Sequence, residues 1–211
     1  MSETTDASDV KRGRPGYDQR AVLDVAVAAF NEYGYDATSM GVLAERLGLS
    51  KSAIYHHFAA KEDILDLALD EALTALENVL ASAAAPDSDS GAGRASDRLA
   101  IVLRGAVNVL VDKLPAVTLL LRVRGNTDVE RRALARRRAF DRAVAALVVE
   151  ARDEGSLRSD IDPGIVSRLL FGMINSIVEW YRPGGPVDAA TLADDVLAVA
   201  LDGLRTTAAR R

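Results

Sequence analysis

The sequence predicts an all-α fold, and three features carry that expectation. Apolar residues recur at intervals of three and four along most of the 211 residues. No stretch alternates apolar and polar residues between turn signals, so no strand is expected. Glycine, proline and short capping residues fall between the periodic segments. About nine helices result: three in an N-terminal head with a helix-turn-helix pattern, the rest in a longer helical body. The expected segments are a basic-ended tail over 1–16, a head over 17–60 and a body over 61–211.

The elements follow in chain order. The tail lacks periodicity and ends in "KRGRPG". A first helix starts near Tyr17 or Asp18, because Val22, Ala26, Ala29, Phe30 and Tyr33 share one face. Gly34 stops it. Thr38 or Ser39 caps a second helix carrying Met40, Leu43, Ala44 and Leu47, and Gly48 ends it. Ser50 caps a third. Two short helices around a glycine turn form a helix-turn-helix. The fourth helix runs from Lys61 through "ASAAA", on a stripe from Ile64 to Leu80. Pro86 to Gly93 is a loop by composition. A fifth helix covers Arg94 to about Leu114, and a sixth covers Ala116 to about Arg122. A break over Arg124 to Asp128 supplies Thr127 or Asp128 as cap for a seventh, which runs to about Asp153, before Gly155. Pro163 opens an eighth helix to about Tyr181, and Ala189 to about Leu204 forms the ninth.

Composition limits the functions available. The chain is 49% hydrophobic and 27% charged, as a globular protein should be. With no cysteine, disulfides, thiolate zinc sites and cysteine nucleophiles are excluded. No apolar run reaches the roughly 20 residues that span a bilayer. The polar start "MSETTDASDV" has no signal-like core, so a cytoplasmic protein without membrane contact is expected. The net charge of −5 is unevenly placed. From Val10 to Lys61 the cations Lys11, Arg12, Arg14, Arg20, Arg46, Lys51 and Lys61 outnumber Asp18, Asp24, Glu32, Asp36 and Glu45.

Both histidines, His56 and His57, stand in "LGLSKSAIYHHFAAKED", between Tyr55 and Phe58. A metal site is disfavoured, because adjacent helical residues point about 100° apart and no His pair at i, i+4 occurs. Catalysis is disfavoured too: no nucleophile motif, Glu-x-x-His pair or phosphate loop is present, so neither an enzyme nor a cofactor is expected. Nucleic acid fits better. Ile54 and Phe58 bury one face and leave Lys51, Ser52, Tyr55 and His56 as donors to phosphates and base edges. Lys61, and Thr38 with Ser39, begin the flanking helices, where backbone N–H groups and polar side chains can hold a phosphate together. Packing against helix one or four is the alternative for Tyr55 and His57. Lys11, Arg12 and Arg14 suit either a minor groove or an ordinary solubilising tail.

The segment "FNEYGYDATSMGVLAERLGLSKSAIYHHFAAKEDIL", Phe30 to Leu65, resembles the DNA-binding domain of the TetR/AcrR family of bacterial transcriptional regulators. The matching features are Gly34-aromatic-x-x-Thr38, the "LAERLGLSKSAIYHHF" core and the lysine three residues after Phe58. The resemblance implies a three-helix DNA-binding head and a ligand-binding, dimerising body. Carried over by position, it implies DNA contacts at Ser39, Lys51, Ser52, Tyr55, His56 and Lys61. Ala53 departs from the glycine common there; its methyl group can meet a thymine methyl or contact nothing.

The body has its own signals. Helix eight is apolar on two sides: Val166, Leu169, Leu170, Met173, Ile177 and Trp180 on one, Phe171, Ile174 and Val178 on the other. Helix nine has two stripes as well. Such helices must be covered twice, which a two-fold dimer through the last two helices achieves; a thick monomeric core is the alternative. A dimer would set two heads about 34–36 Å apart on a palindromic double-stranded DNA operator. On helix seven, Arg131, Arg138 and Arg142 lie away from the apolar face, whereas Arg137 falls inside it, near Phe140. Arg137 is expected to meet a carboxylate, Glu179 or Asp112, or an anionic ligand. Arg122 and Arg124 end helix six, where pockets of the resembled family often gate, and Asn175, Glu179 and Trp180 on helix eight can line a pocket. "FGMINSIVEWYRPGG" resembles the C-terminal region of family members that answer to acyl-coenzyme A thioesters, which implies that class as the small-molecule effector. The expected function is a ligand-gated DNA-binding repressor; a helical enzyme or a protein-binding adaptor are the alternatives.

Overall fold

The computed structural model describes residues 18–84 and 93–205. Among them are nine α-helices: α1 (Gln19–Tyr33), α2 (Met40–Leu47), α3 (Lys51–His57), α4 (Lys61–Ala84), α5 (Ala95–Asp112), α6 (Leu114–Arg122), α7 (Asp128–Asp153), α8 (Pro163–Trp180) and α9 (Ala189–Leu204). Their only β feature is an isolated bridge between Leu157 and Arg205. Lys11, Arg12, Arg14 and all of the expected loop but Gly93 lie outside the described residues.

Side-chain caps set most helix starts. Asp18 Oδ1 accepts from the Ala21 N–H at 2.7 Å, and Ser39 and Ser50 cap α2 and α3 the same way. Ser39 rather than Thr38 caps α2. Thr127 and Glu130 form a reciprocal capping box on α7. Asp162 precedes Pro163 at the start of α8, and Asp188 opens α9. Gly48 ends α2 in the left-handed region, φ 62°, a conformation that would strain a side-chain-bearing residue.

One boundary differs from expectation. The sequence puts Pro115 between helices five and six, yet α6 already begins at Leu114 and holds Pro115 in its first turn. A proline there loses no hydrogen bond, because the first N–H groups of a helix have no intrahelical partner. Only Lys113 stands between α5 and α6.

The head forms around α1, which packs against α2, α3, α4 and α6. Val22, Ala26, Ala29, Phe30, Leu43 and Ile54 are essentially removed from solvent there. In the body α5 is central and touches α4, α6, α7, α8 and α9. Its approach to α4 requires Gly105, since a Cβ at that position would collide with the Val79 side chain. α4 therefore joins the two regions: it packs on α1 at one end and on α5, α6 and α7 along its length.

Candidate nucleic-acid interface and effector cavity

α3 is anchored by Ile54 and Phe58, which are buried beneath it. Lys51, Ser52, Tyr55 and His56 are exposed, with Tyr55 at 51%. Ser50 and Ser52 share a hydroxyl hydrogen bond of 2.9 Å. Ala53 is half-buried and its N–H donates to the Ser50 cap. His57 is half-buried and meets His56 edge to face, ring centroids 5.6 Å apart. An exposed hollow of about 430 Å³ brings Ser39, Lys51, Tyr55 and the start of α4 together. Lys51 stretches over α2, its Cε 3.1 Å from where a Cβ on Gly41 would lie. The outer side of α3 thus carries an ammonium, hydroxyls, a phenol and an imidazole, all groups that bond phosphates and base edges.

Two residues expected at this surface, Thr38 and Lys61, border the same hollow, but their polar groups are engaged within the head. Thr38 is fully buried and donates its hydroxyl to the Gly34 carbonyl at 2.8 Å, so its side chain cannot reach a phosphate. Lys61 turns inward. Its Nζ donates to the carbonyls of Tyr35 at 2.8 Å and Thr38 at 3.1 Å, with Asp36 O at 3.4 Å, and sits 4.2 Å from the centre of the Tyr35 ring. The ammonium's three donors are occupied, and its work is to pin the α1–α2 turn to α4. Tyr35 packs edge-on against Phe30, and burial pushes its phenol well above the ordinary range.

A cavity of about 530 Å³ opens between α7 and α8. Arg137, Arg138, Asp141 and Arg142 line it from α7, and Ser167, Arg168, Phe171 and Asn175 line it from α8. Arg137, Asp141, Phe171 and Asn175 also border a smaller inner space of about 40 Å³, whose remaining walls are apolar and come from α4 to α8: Leu76, Ala106, Leu110, Val117, Leu120, Leu121, Phe140 and Ile174. Most arginines of the described residues bond to a carboxylate or a carbonyl. Those whose side chains make neither a hydrogen bond nor an ion pair are Arg94, Arg124, Arg137, Arg138, Arg142 and Arg168, and the last four meet at this cavity. Burial raises the Asp141 carboxyl above its ordinary value, while Arg137 and Arg142 pull it down. The arrangement can hold a molecule with several negative charges outside and an apolar end inside.

The cavity and its inner space together include three of the expected ligand residues, Arg137, Phe140 and Asn175, and leave out four. Arg137 makes no ion pair with Glu179 or Asp112; the carboxylate that acts on it is Asp141, one turn along α7. Arg122 instead donates to the Asn31 carbonyl at 2.6 Å, tying α6 to α1. Arg124 is exposed on the turn before α7. Glu179 lies a full turn beyond Asn175, past the end of the cavity, and Trp180 is 52% exposed. Arg138 and Arg142 are exposed as expected, but the side they face is the mouth of the cavity. Sequence reasoning misses Asp141, Ser167 and Arg168. Their signal is a pair of facing stripes: 137 and 141 on α7, and polar 168 and 175 with the small Gly172 between them on α8, each at helical spacing.

α8 and α9 also present an uncovered apolar surface. Leu169 is 66% and Val199 70% exposed, and with Met173, Ala200 and Leu204 they border an open groove. Gly172 and Gly203 have open space where a Cβ would be.

Residues 92–204 match the family model described as "Tetracyclin repressor-like, C-terminal domain", and residues 22–68 match "Bacterial regulatory proteins, tetR family". The HTH-type transcriptional repressor KstR2 of Rhodococcus jostii (strain RHA1) is 31% identical over 206 residues, covering 95% of this chain and 97% of that protein. The crystal structure of SCO3833, a TetR-family regulator from Streptomyces coelicolor A3, superposes with a TM-score of 0.78 at 48% identity over 88% of this chain and 91% of that one. AibR, described in complex with isovaleryl coenzyme A and operator DNA, shares the fold with a TM-score of 0.70 at 22% identity, over 87% of this chain and 97% of its own.

Proposed function

This chain belongs to the TetR family of bacterial regulatory proteins, as a ligand-responsive DNA-binding transcriptional repressor and not an enzyme, and we propose that an acyl-coenzyme A thioester releases it from a palindromic operator that it binds as a dimer. Residues 17–60 form the DNA-binding head and 61–211 the ligand-binding and dimerising body. In the head, Lys51, Ser52, Ala53, Tyr55 and His56 enter the major groove, and Ser39 holds a phosphate at the start of α2. Dimerisation through α8 and α9 covers Leu169 and Val199 and sets the spacing of two heads. No helix among the described residues is long and apolar enough to cross a membrane; a repressor of this kind works in the cytoplasm, on the chromosome.

The observation that carries the effector reading is the set of four unpaired arginines around a cavity that narrows to an apolar pocket. Guanidinium groups suit the phosphates of coenzyme A, and the apolar walls suit an acyl group. AibR's description names a ligand of that class, and that description belongs to AibR; it makes coenzyme A thioesters the first compounds to test here. The inner pocket is small, so an acyl group entering it pushes on α4, α5, α6 and α7 together. Two links then carry the displacement to the head. Arg136 of α7 grips Asp70, Thr74 and Glu77 of α4, at 2.7 to 3.0 Å. α6 holds Asn31 of α1 from both ends, through Pro115 O and Arg122. The ligand shifts the equilibrium only by its differential affinity for the two head spacings, about 1–3 kcal/mol of coupling.

A gel-shift titration over the upstream DNA of its own gene, with a series of coenzyme A thioesters added, tests this reading. Sequence-specific retention that one thioester abolishes is expected. Retention unmoved by every thioester overturns the effector class, and no retention at low salt overturns the whole proposal.

A further inference from the structure

We propose that Asp141 sets the selectivity of the cavity: it bars a free carboxylate from the inner pocket and so admits only ligands whose inner end is uncharged and whose charge stays outside. The inference rests on the effector reading above and adds to it a residue that rejects the unesterified acid. Arg137, Asp141, Phe171 and Asn175 border both spaces, so they form the neck between them. Arg137 and Asp141 are one turn apart on α7 and share a face. Past the neck the inner pocket adds no charged residue; Leu76, Leu110, Leu120, Phe140 and Ile174 close it. A carboxylate driven in there loses its hydration, and the donors of the inner walls are only Arg137 and Asn175 at the neck itself. At the neck it meets a like charge.

Arg137 alone would attract a carboxylate to this point, and Asp141 beside it offsets that attraction. Asp141 is half-buried, so the repulsion is screened less than at an open surface. A thioester carbonyl is uncharged and meets neither obstacle; the Asn175 amide is the uncharged polar group at the neck to receive it. In the outer cavity one carboxylate faces four guanidiniums. Enough positive charge remains for a head group with several phosphate charges. A lone carboxylate, by contrast, gains less at the neck, because Asp141 already faces two of the four guanidiniums, those of Arg137 and Arg142.

Calorimetric titration of the full chain with hexanoyl-coenzyme A and with hexanoate tests the inference, on wild type, Asp141→Asn and Asp141→Glu. Wild type is expected to favour the thioester by at least about 100-fold. Asp141→Asn is expected to narrow that ratio by about tenfold or more, through a gain in hexanoate affinity, while Asp141→Glu keeps it. Circular dichroism melting verifies each fold, and Asp141→Ser replaces the Asn variant if that one does not fold. An unchanged ratio in a folded, charge-free variant overturns the role of Asp141 and leaves the effector reading standing. Loss of thioester binding in that variant also overturns it, because Asp141 would then be a contact and not a barrier. If wild type binds neither compound, the effector reading falls and the inference with it.

Discussion

Replacing Lys61 by methionine is expected to weaken the head's fold and leave its charge interactions with DNA intact. The ammonium donates to the Tyr35 and Thr38 carbonyls, and a methionine would leave both without that partner. The expected cost is about 2 kcal/mol, read as a fall in the thermal or urea midpoint. The salt dependence of operator binding should not change, since an inward-turned ammonium neutralises no phosphate. A flatter salt dependence with an unchanged midpoint would return Lys61 to the DNA surface, where its place in the sequence suggests it. The difference has a physical cause. Lys61 bonds carbonyls 23 to 26 residues earlier in the chain, and helical periodicity reports which side of a helix faces inward, never which distant turn lies there. The same reason applies to Thr38. Lys51, Ser52, Tyr55 and His56 are legible because Ile54 and Phe58 fix the buried side of a short helix, and the opposite side follows.

α7 works on two fronts through consecutive residues. Arg136 reaches α4, where it bonds Asp70, Thr74 and Glu77, and Arg132 pairs with Asp66 one turn earlier. Arg137 reaches the cavity. Arg136→Ala is expected to cost about 1 kcal/mol or less, because the carboxylates it meets are half-exposed and screened. Its effect on coupling should be larger than its effect on stability: effector-driven release of operator should weaken while effector binding persists. Equal losses of release and binding would show that the grip on α4 only stabilises the fold. Hydrogen bonding by Arg136 holds the Glu77 carboxyl below its ordinary value. That stabilisation is therefore present above the unfolded carboxyl's value near about 4.3 and is lost as pH falls through the lower folded value. The stability gap between wild type and Arg136→Ala should accordingly close in acid. Most element boundaries are legible, because caps such as Asp18, Ser39, Ser50 and Thr127 stand where the periodicity begins. The α5–α6 junction is not, because proline both stops a helix and tolerates a first turn. The arginine cavity is half legible: each polar stripe shows helical spacing, but only packing shows that α7 and α8 face each other.

For the whole molecule, the proposed two-fold assembly turns on the uncovered face of α8 and α9. Leu169 is exposed, so Leu169→Asp should leave the monomer's core and melting behaviour nearly untouched. Sedimentation is expected to find a monomer, with operator affinity reduced at least about tenfold because two linked heads no longer bind together. A dimer that survives this substitution would place the interface elsewhere. The measurement that bears most directly on α3 as the DNA-reading surface is fluorescence anisotropy of labelled operator across a salt series, for wild type and Lys51→Ala. Wild type should bind tightly at low salt, with a log–log slope that Lys51→Ala flattens by about one for each phosphate left without its cation. Binding and slope unaffected by the removal of Lys51 and, in a second variant, of Tyr55 would contradict that assignment.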